Sequence, residues 1–303
     1  MKPLLTVFTP AYNRAYSLHL CYESLCRQTN KNFIWLVVDD GSTDNTKELV
    51  EQWKTKDNGF EIRYVYKENG GMHTAHNKAY ELCDTELNTC IDSDDYMPDD
   101  AVEKILSFWG KYGSDKYAGI IGLDATFDNQ VIGKEFPKDL KTTTLLGYYA
   151  NGGVGDKKLV YRTELMKKYP AYPEFEGEKY VGLSYKCMLC DQEYELLVLN
   201  EILCNVEYQL DGSSTNMFRQ YLRNPRGFAF FRKAAMQYQP KLKRRFVECV
   251  HYVSSSILAK DKKFLKESPK KGMTILAIPF GIVLTYYIKS KSKDYMMVEG
   301  MKK

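Results

Sequence analysis

The chain lacks a long hydrophobic run, a cysteine framework and any internal repeat. Its longest apolar stretch, 274–288, is fifteen residues with Pro279 and Gly281 inside it, where a membrane-spanning helix needs about 20. The first residues pass straight into Leu4-Leu5-Thr6-Val7-Phe8. No basic region, apolar core and small-residue cleavage site precede them, so a secretory signal is not expected. The eight cysteines are scattered, and Cys21, Cys83, Cys90, Cys204 and Cys249 sit inside apolar segments. That fits reduced thiols used as small core residues in a cytoplasmic protein, not a disulfide scaffold. Cys187 and Cys190 form the one tight pair, half of a zinc site without a second Cys or His pair at matching spacing, and so read as packing. Low-complexity segments are absent too, and 44% hydrophobic content is ample for a sizeable core.

Acidic residues are scarce at one end. From Arg219 onward there are 20 basic and 5 acidic residues, against 23 basic and 34 acidic in 1–218. An acidic body joined to a basic tail suggests two different partners. Nucleic acid is not expected among them, because no basic–aromatic binding module is present. Lys270 and Lys271 precede the 274–288 stretch, Lys289, Lys291 and Lys293 follow it, and Tyr286-Tyr287 lie near its end. Such flanks suit peripheral contact of 270–293 with the anionic inner face of a cell membrane. A helix packed on the core accounts for the same residues.

What the chain does have is alternation. Short apolar runs at 4–9, 33–38, 62–66, 89–91 and 118–123 read as buried strands, and 18–26, 46–53, 74–83 and 101–109 show helical spacing between them. This argues for an α/β fold with a doubly wound, mostly parallel sheet, followed by a helical, basic C-terminal extension. Ligands of such sheets bind outside the carboxyl ends of the strands. The residues there are Pro10-Ala11-Tyr12-Asn13-Arg14, Asp39-Asp40-Gly41-Ser42, Lys67-Glu68-Asn69-Gly70-Gly71 and Asp92-Ser93-Asp94-Asp95.

The last of these is the most telling. Three carboxylates in four positions repel one another, so something must offset them. A divalent cation shared with a phosphate would do so, and an acidic turn ahead of a helix is the plain alternative. On an extended backbone Asp92 and Asp94 would point one way and Asp95 the other. In Asp39-Asp40-Gly41-Ser42-Thr43-Asp44, Gly41 permits a sharp turn and Ser42 or Thr43 can cap a helix. Capping leaves the Asp pair unexplained; a carboxylate there can accept hydrogen bonds from a base or ribose. Tyr12 beside it offers a face for stacking. Asn69-Gly70-Gly71 allows close backbone approach to a ligand, or is a simple turn, and His76 can be functional or a packed imidazole.

Taken in order, Thr9-Pro10-Ala11-Tyr12-Asn13-Arg14, Val38-Asp39-Asp40-Gly41-Ser42-Thr43-Asp44, Asn69-Gly70-Gly71 with Ala75-His76-Asn77, and Asp92-Ser93-Asp94-Asp95 resemble the family 2 glycosyltransferases of GT-A fold. The resemblance implies that Tyr12 stacks on the nucleobase with Pro10 nearby, that Asp40 bonds the base, usually uracil, and that Asp92 holds the ribose or donor sugar. Asp94 would bind Mn²⁺ or Mg²⁺ on the diphosphate. Arg14, Asn69, Gly71, His76 and Ser93 complete the implied donor site, although many relatives carry Arg where this chain has His76. The implied domains are 1–215, catalytic, with a nucleotide-sugar half (1–123) and an acceptor half (124–215), and 216–303, a helical basic extension.

The same resemblance places the catalytic base on a later acidic motif at a helix start. Cys190-Asp191-Gln192-Glu193 is the best match, with Cys190 in place of the usual first acid, and assigns the base to Asp191. The bland alternative is a surface carboxylate on a helix running through 194–199. The loop 175–180 and the arginines Arg219, Arg223 and Arg226, with Ser213 and Asn216, are weaker candidates for acceptor and diphosphate contacts. The implied activity is inverting transfer from a nucleotide-sugar, UDP-linked by the usual preference for uracil, to a hydroxyl of a saccharide or lipid-linked oligosaccharide. Three rivals are a sugar-1-phosphate nucleotidyltransferase, which expects a Gly-rich loop ending in Arg after the first strand, a glycosidase working through two carboxylates without metal, and a nucleotide-sugar-binding protein without turnover.

Overall fold

The computed structural model describes residues 3–206 and 217–300, with side chains through 292. The alternation read from sequence is realised as β1 (Leu5–Ala11), α1 (Leu18–Arg27), β2 (Phe33–Asp39), α2 (Thr46–Lys54), β3 (Glu61–Tyr66), α3 (Met72–Leu82), β4 (Leu87–Cys90), α4 (Ala101–Tyr112) and β5 (Tyr117–Ala125). Every residue of β1 and β2 is buried, the mark of strands covered on both faces. Trp35 at the centre of β2 is fully buried, and its indole N–H donates to Thr9 Oγ1 at 3.0 Å. Removing an aromatic of that size from water contributes roughly 1.5–3 kcal/mol.

The chain continues through β6 (Thr142–Thr143), α5 (Leu145–Ala150), β7 (Lys157–Arg162), α6 (Thr163–Lys168), α7 (Ser184–Cys190) and β8 (Glu195–Asn205). The eight strands form one sheet in the order β3-β2-β1-β4-β7-β5-β8-β6. Pairings β1–β2, β1–β4, β2–β3 and β5–β8 are parallel, whereas β7 runs antiparallel between β4 and β5, and β6 antiparallel to β8. The helix expected through 194–199 is instead the start of β8, and the helix of this region, α7, ends at Cys190. The run Leu196-Leu197-Val198-Leu199 fits a buried helix or strand by periodicity alone; pairing with β5 decides for the strand.

Two compact units divide the chain: Met1–Ala171 with Leu189–Glu207, and Tyr172–Met188 with Tyr208–Lys303. The first holds the sheet. The second contains α8 (Met217–Arg223), α9 (Pro225–Tyr238), α10 (Leu242–Leu258), α11 (Phe264–Glu267) and α12 (Lys271–Gly300). Its core gathers Ala229, Met236, Cys249, Tyr252, Val253 and Ala277. Helix α12 carries Pro279 within it and turns Thr274, Ala277, Gly281, Thr285, Ile288 and Ser292 inward. A Cβ on Gly281 would lie 2.5 Å from Val253 Cγ1, so only glycine lets α12 approach α10 this closely. Thr285 Oγ1 donates to Ser254 Oγ at 3.0 Å. The outward face is Ile275, Leu276, Phe280, Ile282, Val283, Tyr286 and Tyr287, all exposed.

Candidate active site

Three loops at the carboxyl ends of β1, β2 and β3 are tied into one surface. Asn13, at φ +53°, donates its backbone N–H to Ser42 Oγ at 2.9 Å, and its Oδ1 accepts from Thr43 N at 2.8 Å. Arg14 donates its backbone N–H to Thr46 Oγ1, while its guanidinium bonds the Tyr16 hydroxyl. Pro10, next to last in β1, is in register with Val38, and Tyr12, just beyond the strand, is 49% exposed. An aromatic ring that open at a sheet edge is available for stacking.

The two aspartates after β2 divide their work. Asp39 accepts from Ser42 N and from the Tyr64 hydroxyl. Asp40, buried, accepts from Lys67 Nζ at 2.6 Å, Gly70 N at 3.0 Å and Gly71 N at 2.8 Å, so its carboxylate shapes the 69–71 loop. Asn69 Nδ2 donates to the Asp40 carbonyl. A Cβ on Gly41, at φ +85°, would sit 2.7 Å from Asn69 N, and Gly71 has φ +94°. The glycines are therefore dictated by this loop-on-loop approach. Lys67, to which sequence reasoning gave no role, is the cation of this junction; its signal was its place at the end of β3 beside Asn69-Gly70-Gly71.

Residues 92–95 do not continue β4 as extended backbone. They fold into a turn in which Asp95 N donates to Asp92 O at 3.1 Å. Asp92 and Asp94 are half-buried, Ser93 and Asp95 buried. The turn, not strand alternation, separates Asp95 from its neighbours. Cys90 Sγ lies 3.7 Å from Asp92 Oδ1 and 3.7 Å from His76 Nε2. His76 is buried, edge-on to Phe8 at 5.0 Å, with Nδ1 3.3 Å from the Tyr80 hydroxyl.

Asp191 follows α7 and is held at the start of α5, where its carboxylate accepts from Leu145 N at 3.1 Å and Leu146 N at 2.7 Å. Burial pushes its pKa up to about 6, against the downward pull of those two amides. A carboxylate with that value accepts a proton readily near neutral pH. Glu193, by contrast, is exposed and bonded to Lys168 Nζ and the Tyr169 hydroxyl. In the helical unit, the 175–180 loop caps α9: Glu178 accepts from Arg226 N, Arg226 Nε and Gly227 N. Ser213 and Asn216 lie outside the described residues. A cavity of about 490 Å³ opens at the other edge of the sheet, lined by Thr85, Trp109, Asp115 and Arg162. Its polar groups bond one another, Trp109 Nε1 to Glu86 and Arg162 to the Asp115 and Tyr117 carbonyls.

Comparison with known proteins gives the family and the fold. The family described as "Glycosyl transferase family 2" matches residues 6–169. Among curated relatives, the putative teichuronic acid biosynthesis glycosyltransferase TuaG of Bacillus subtilis is 35% identical over 35% of this chain and 42% of its own length. Glycosyltransferase GlyG of Streptococcus pneumoniae is 35% identical over 35% of each chain. Each match thus spans less than half of either protein. Among solved structures, S. aureus TarS 1-349 in complex with UDP-GlcNAc has TM-score 0.61 at 19% identity, covering 91% of this chain and 79% of that one. Mannosyltransferase PcManGT from Pyrobaculum calidifontis, in complex with GDP-Man and Mn2+, has TM-score 0.54 at 16% identity, covering 93% and 88%. These likenesses establish the GT-A fold.

Proposed function

The chain belongs to glycosyl transferase family 2, and from that premise we propose an inverting, metal-dependent glycosyltransferase that moves a sugar from a UDP-sugar to a hydroxyl of a saccharide or lipid-linked oligosaccharide. The observation that carries this is the convergence at one sheet edge of an exposed Tyr12, the Asp40-braced 69–71 loop and the acidic turn 92–95. Tyr12 stacks the base, Asp92 takes the ribose or donor sugar, and the Asn69–Gly71 backbone approaches the donor closely. The first strand leads into Pro10-Ala11-Tyr12-Asn13-Arg14, not the Gly-rich loop a nucleotidyltransferase expects.

Among the described residues no group of three or more His, Cys, Asp or Glu gathers as a metal cage. The donor set nonetheless fits Mn²⁺ or Mg²⁺, because such an ion on a diphosphate needs one or two carboxylates and takes its other ligands from phosphate and water. Asp94, half-buried on the turn, is the residue that would hold it. Bound there, the ion supplies charge stabilisation to the departing diphosphate. Asp191 accepts the proton of the acceptor hydroxyl through a carboxylate oxygen as that hydroxyl's oxygen bonds to the anomeric carbon. The bond from that carbon to the diphosphate breaks on the opposite face, so configuration inverts.

Helix α12 points to where this happens. Its segment Lys271–Ser292, 22 residues at mean hydropathy 1.4, is long and apolar enough to cross a membrane. It packs along α10, with Gly281 against Val253 and the Thr285 hydroxyl on Ser254, which ties its inward face to protein and leaves its outward face for lipid. Lying in the interface suits both helices, with Lys270, Lys271, Lys289 and Lys291 near anionic headgroups. We therefore place the protein on the inner face of the cell membrane, where polysaccharide is assembled.

A donor panel tests the core reading. With Mn²⁺ the protein should release nucleoside diphosphate from one UDP-sugar, and EDTA or Asp94→Asn should lower the rate at least about 10²-fold with the fold intact. Full activity in EDTA or in the variant overturns the metal assignment. Binding without turnover across the panel favours a non-catalytic nucleotide-sugar protein.

A further inference from the structure

Past the acidic turn, the carboxyl edge of the sheet carries an aromatic pair that no motif announces. β5 runs out at Ala125 into a hairpin closed by the Ala125–Val131 bridge and by Thr126 N, which donates to Gln130 O at 2.9 Å. Asn129 takes the turn at φ +61°. The hairpin is tied down from two sides. Asn205, fully buried at the end of β8, donates Nδ2 to Thr126 O at 2.7 Å and to Asn129 Oδ1 at 2.9 Å. Tyr96, next after Asp95, exchanges both backbone hydrogen bonds with Asn205 and donates its hydroxyl to Phe127 O at 3.2 Å.

The Tyr96 and Phe127 rings lie 4.8 Å apart and meet at 63°, not face to face. Phe127 is still 37% exposed at the hairpin tip. Turns of this kind ordinarily carry polar residues, and forming the core does not require a Phe here. Positions 128–130 beside it are polar and exposed, and no Lys or Arg lies between Asp124 and Gly133. An aromatic face with amide and carboxyl groups at its rim matches a pyranose, which has a C–H face and a hydroxyl rim. The one charge there, on Asp128, favours a neutral sugar over an anionic one.

We infer that Phe127, seated on Tyr96, is the platform on which the acceptor saccharide stacks through a neutral pyranose ring. This rests on the transferase reading above and names the acceptor side of that site. The strand order puts Tyr12 after β1, the 92–95 turn after β4 and the hairpin after β5. A donor with its base on Tyr12 and its diphosphate at the acidic turn has its sugar on the β5 side of that turn. Phe127 lies on that side, away from the base.

Phe127→Ala removes the ring and keeps the backbone bonds of the hairpin, and Phe127→Trp restores an aromatic face. The probe is an immobilised panel of neutral and uronic-acid-containing oligosaccharides, read with the full chain and no donor. The parent protein should bind a neutral member, Phe127→Ala should bind it at least about tenfold more weakly, and Phe127→Trp should bind it as the parent does. With an active UDP-sugar and water as the only acceptor, release of nucleoside diphosphate should be the same in Phe127→Ala and parent. Stimulation of that release by the bound oligosaccharide should show its KM raised about tenfold in Phe127→Ala, with kcat little changed. A parent that binds no neutral member, a preference for the uronic-acid members, or equal binding by Phe127→Ala overturns the inference. So does a fall in Tm with binding unaltered, the mark of a ring that only packs. Should Phe127→Ala fail to fold, Phe127→Asn, a residue that turns favour, takes its place with the same deciding outcomes. Equal binding by the variant leaves the transferase reading standing, and an inactive parent in the donor panel leaves the binding result standing.

Discussion

The sheet unit and the helical unit solve opposite solvent problems. In the sheet unit the apolar residues of β1 and β2 are wholly inside, and polar side chains collect at one edge, braced by one another through Asn13, Ser42, Asp40 and Lys67. In α12 the small and hydroxylated residues Thr274, Ala277, Gly281 and Thr285 face inward, and Leu276 and Val283, each 68% exposed, face out. A water-soluble amphipathic helix does the reverse. The outward face of α12 is thus apolar where the exposed edge of the sheet unit is polar, and the proposed membrane contact rests on that contrast. Apolar residues therefore form strand core in the sheet unit, and in the helical unit both a core around Tyr252 and Val253 and the exposed face of α12.

The sharpest break in the comparison comes from the sheet unit. Asp191→Asn should lower transfer by about 10²–10⁴-fold while sparing donor binding, and an unchanged rate moves the base elsewhere. The pH profile checks the same residue: with the carboxyl at about 6, kcat/KM should climb through pH 6 and level off above it as the base loses its proton. The stability sign is opposite. A carboxyl raised on folding favours the folded state fully below the unfolded pKa of about 4, and that contribution is lost as pH rises through about 6. The asparagine variant should lack both dependences.

The helical unit is tested by L276K/V283K, which alters two outward positions and no packed one. Binding to vesicles containing anionic lipid should weaken at least about tenfold with Tm unchanged, and undiminished sedimentation with vesicles refutes the interfacial placement. The smallest effect is expected at the loop junction. Lys67→Met leaves the buried Asp40 carboxylate with its two glycine amides and the more distant Thr74 hydroxyl, and should cost about 1 kcal/mol in denaturant unfolding. No loss there would mean that the glycine amides and Thr74 brace Asp40 without the lysine.

Much of the sheet unit was legible in the sequence. The five strands from β1 to β5 and the four helices between them follow from apolar spacing and from turn residues such as Asp40-Gly41 and Gly70-Gly71, which act within a few residues of themselves. The polar loops at the carboxyl edge were legible for the same reason: each is a short polar segment at the end of an apolar run. β8 was not, because a four-residue apolar run has no period of its own. Nor were the tasks of Asp40 and His76, since a carboxylate that braces a loop and one that meets a ligand look alike in sequence, as do a packed imidazole and a working one.

By itself, then, the sequence determined the alternating α/β order, the polar carboxyl edge and the basic, apolar tail, because these arise from neighbours in the chain. Tertiary structure alone decided that β7 enters between β4 and β5, burying Lys158 in register with Gly122. It also decided that Asp191 is held by the amides of α5, and that Gly281 lets α12 close on α10 with its large side chains left outside. Each of these joins residues dozens of positions apart, and charge compensation, desolvation and close packing are properties of what surrounds a group in space, which no local pattern encodes.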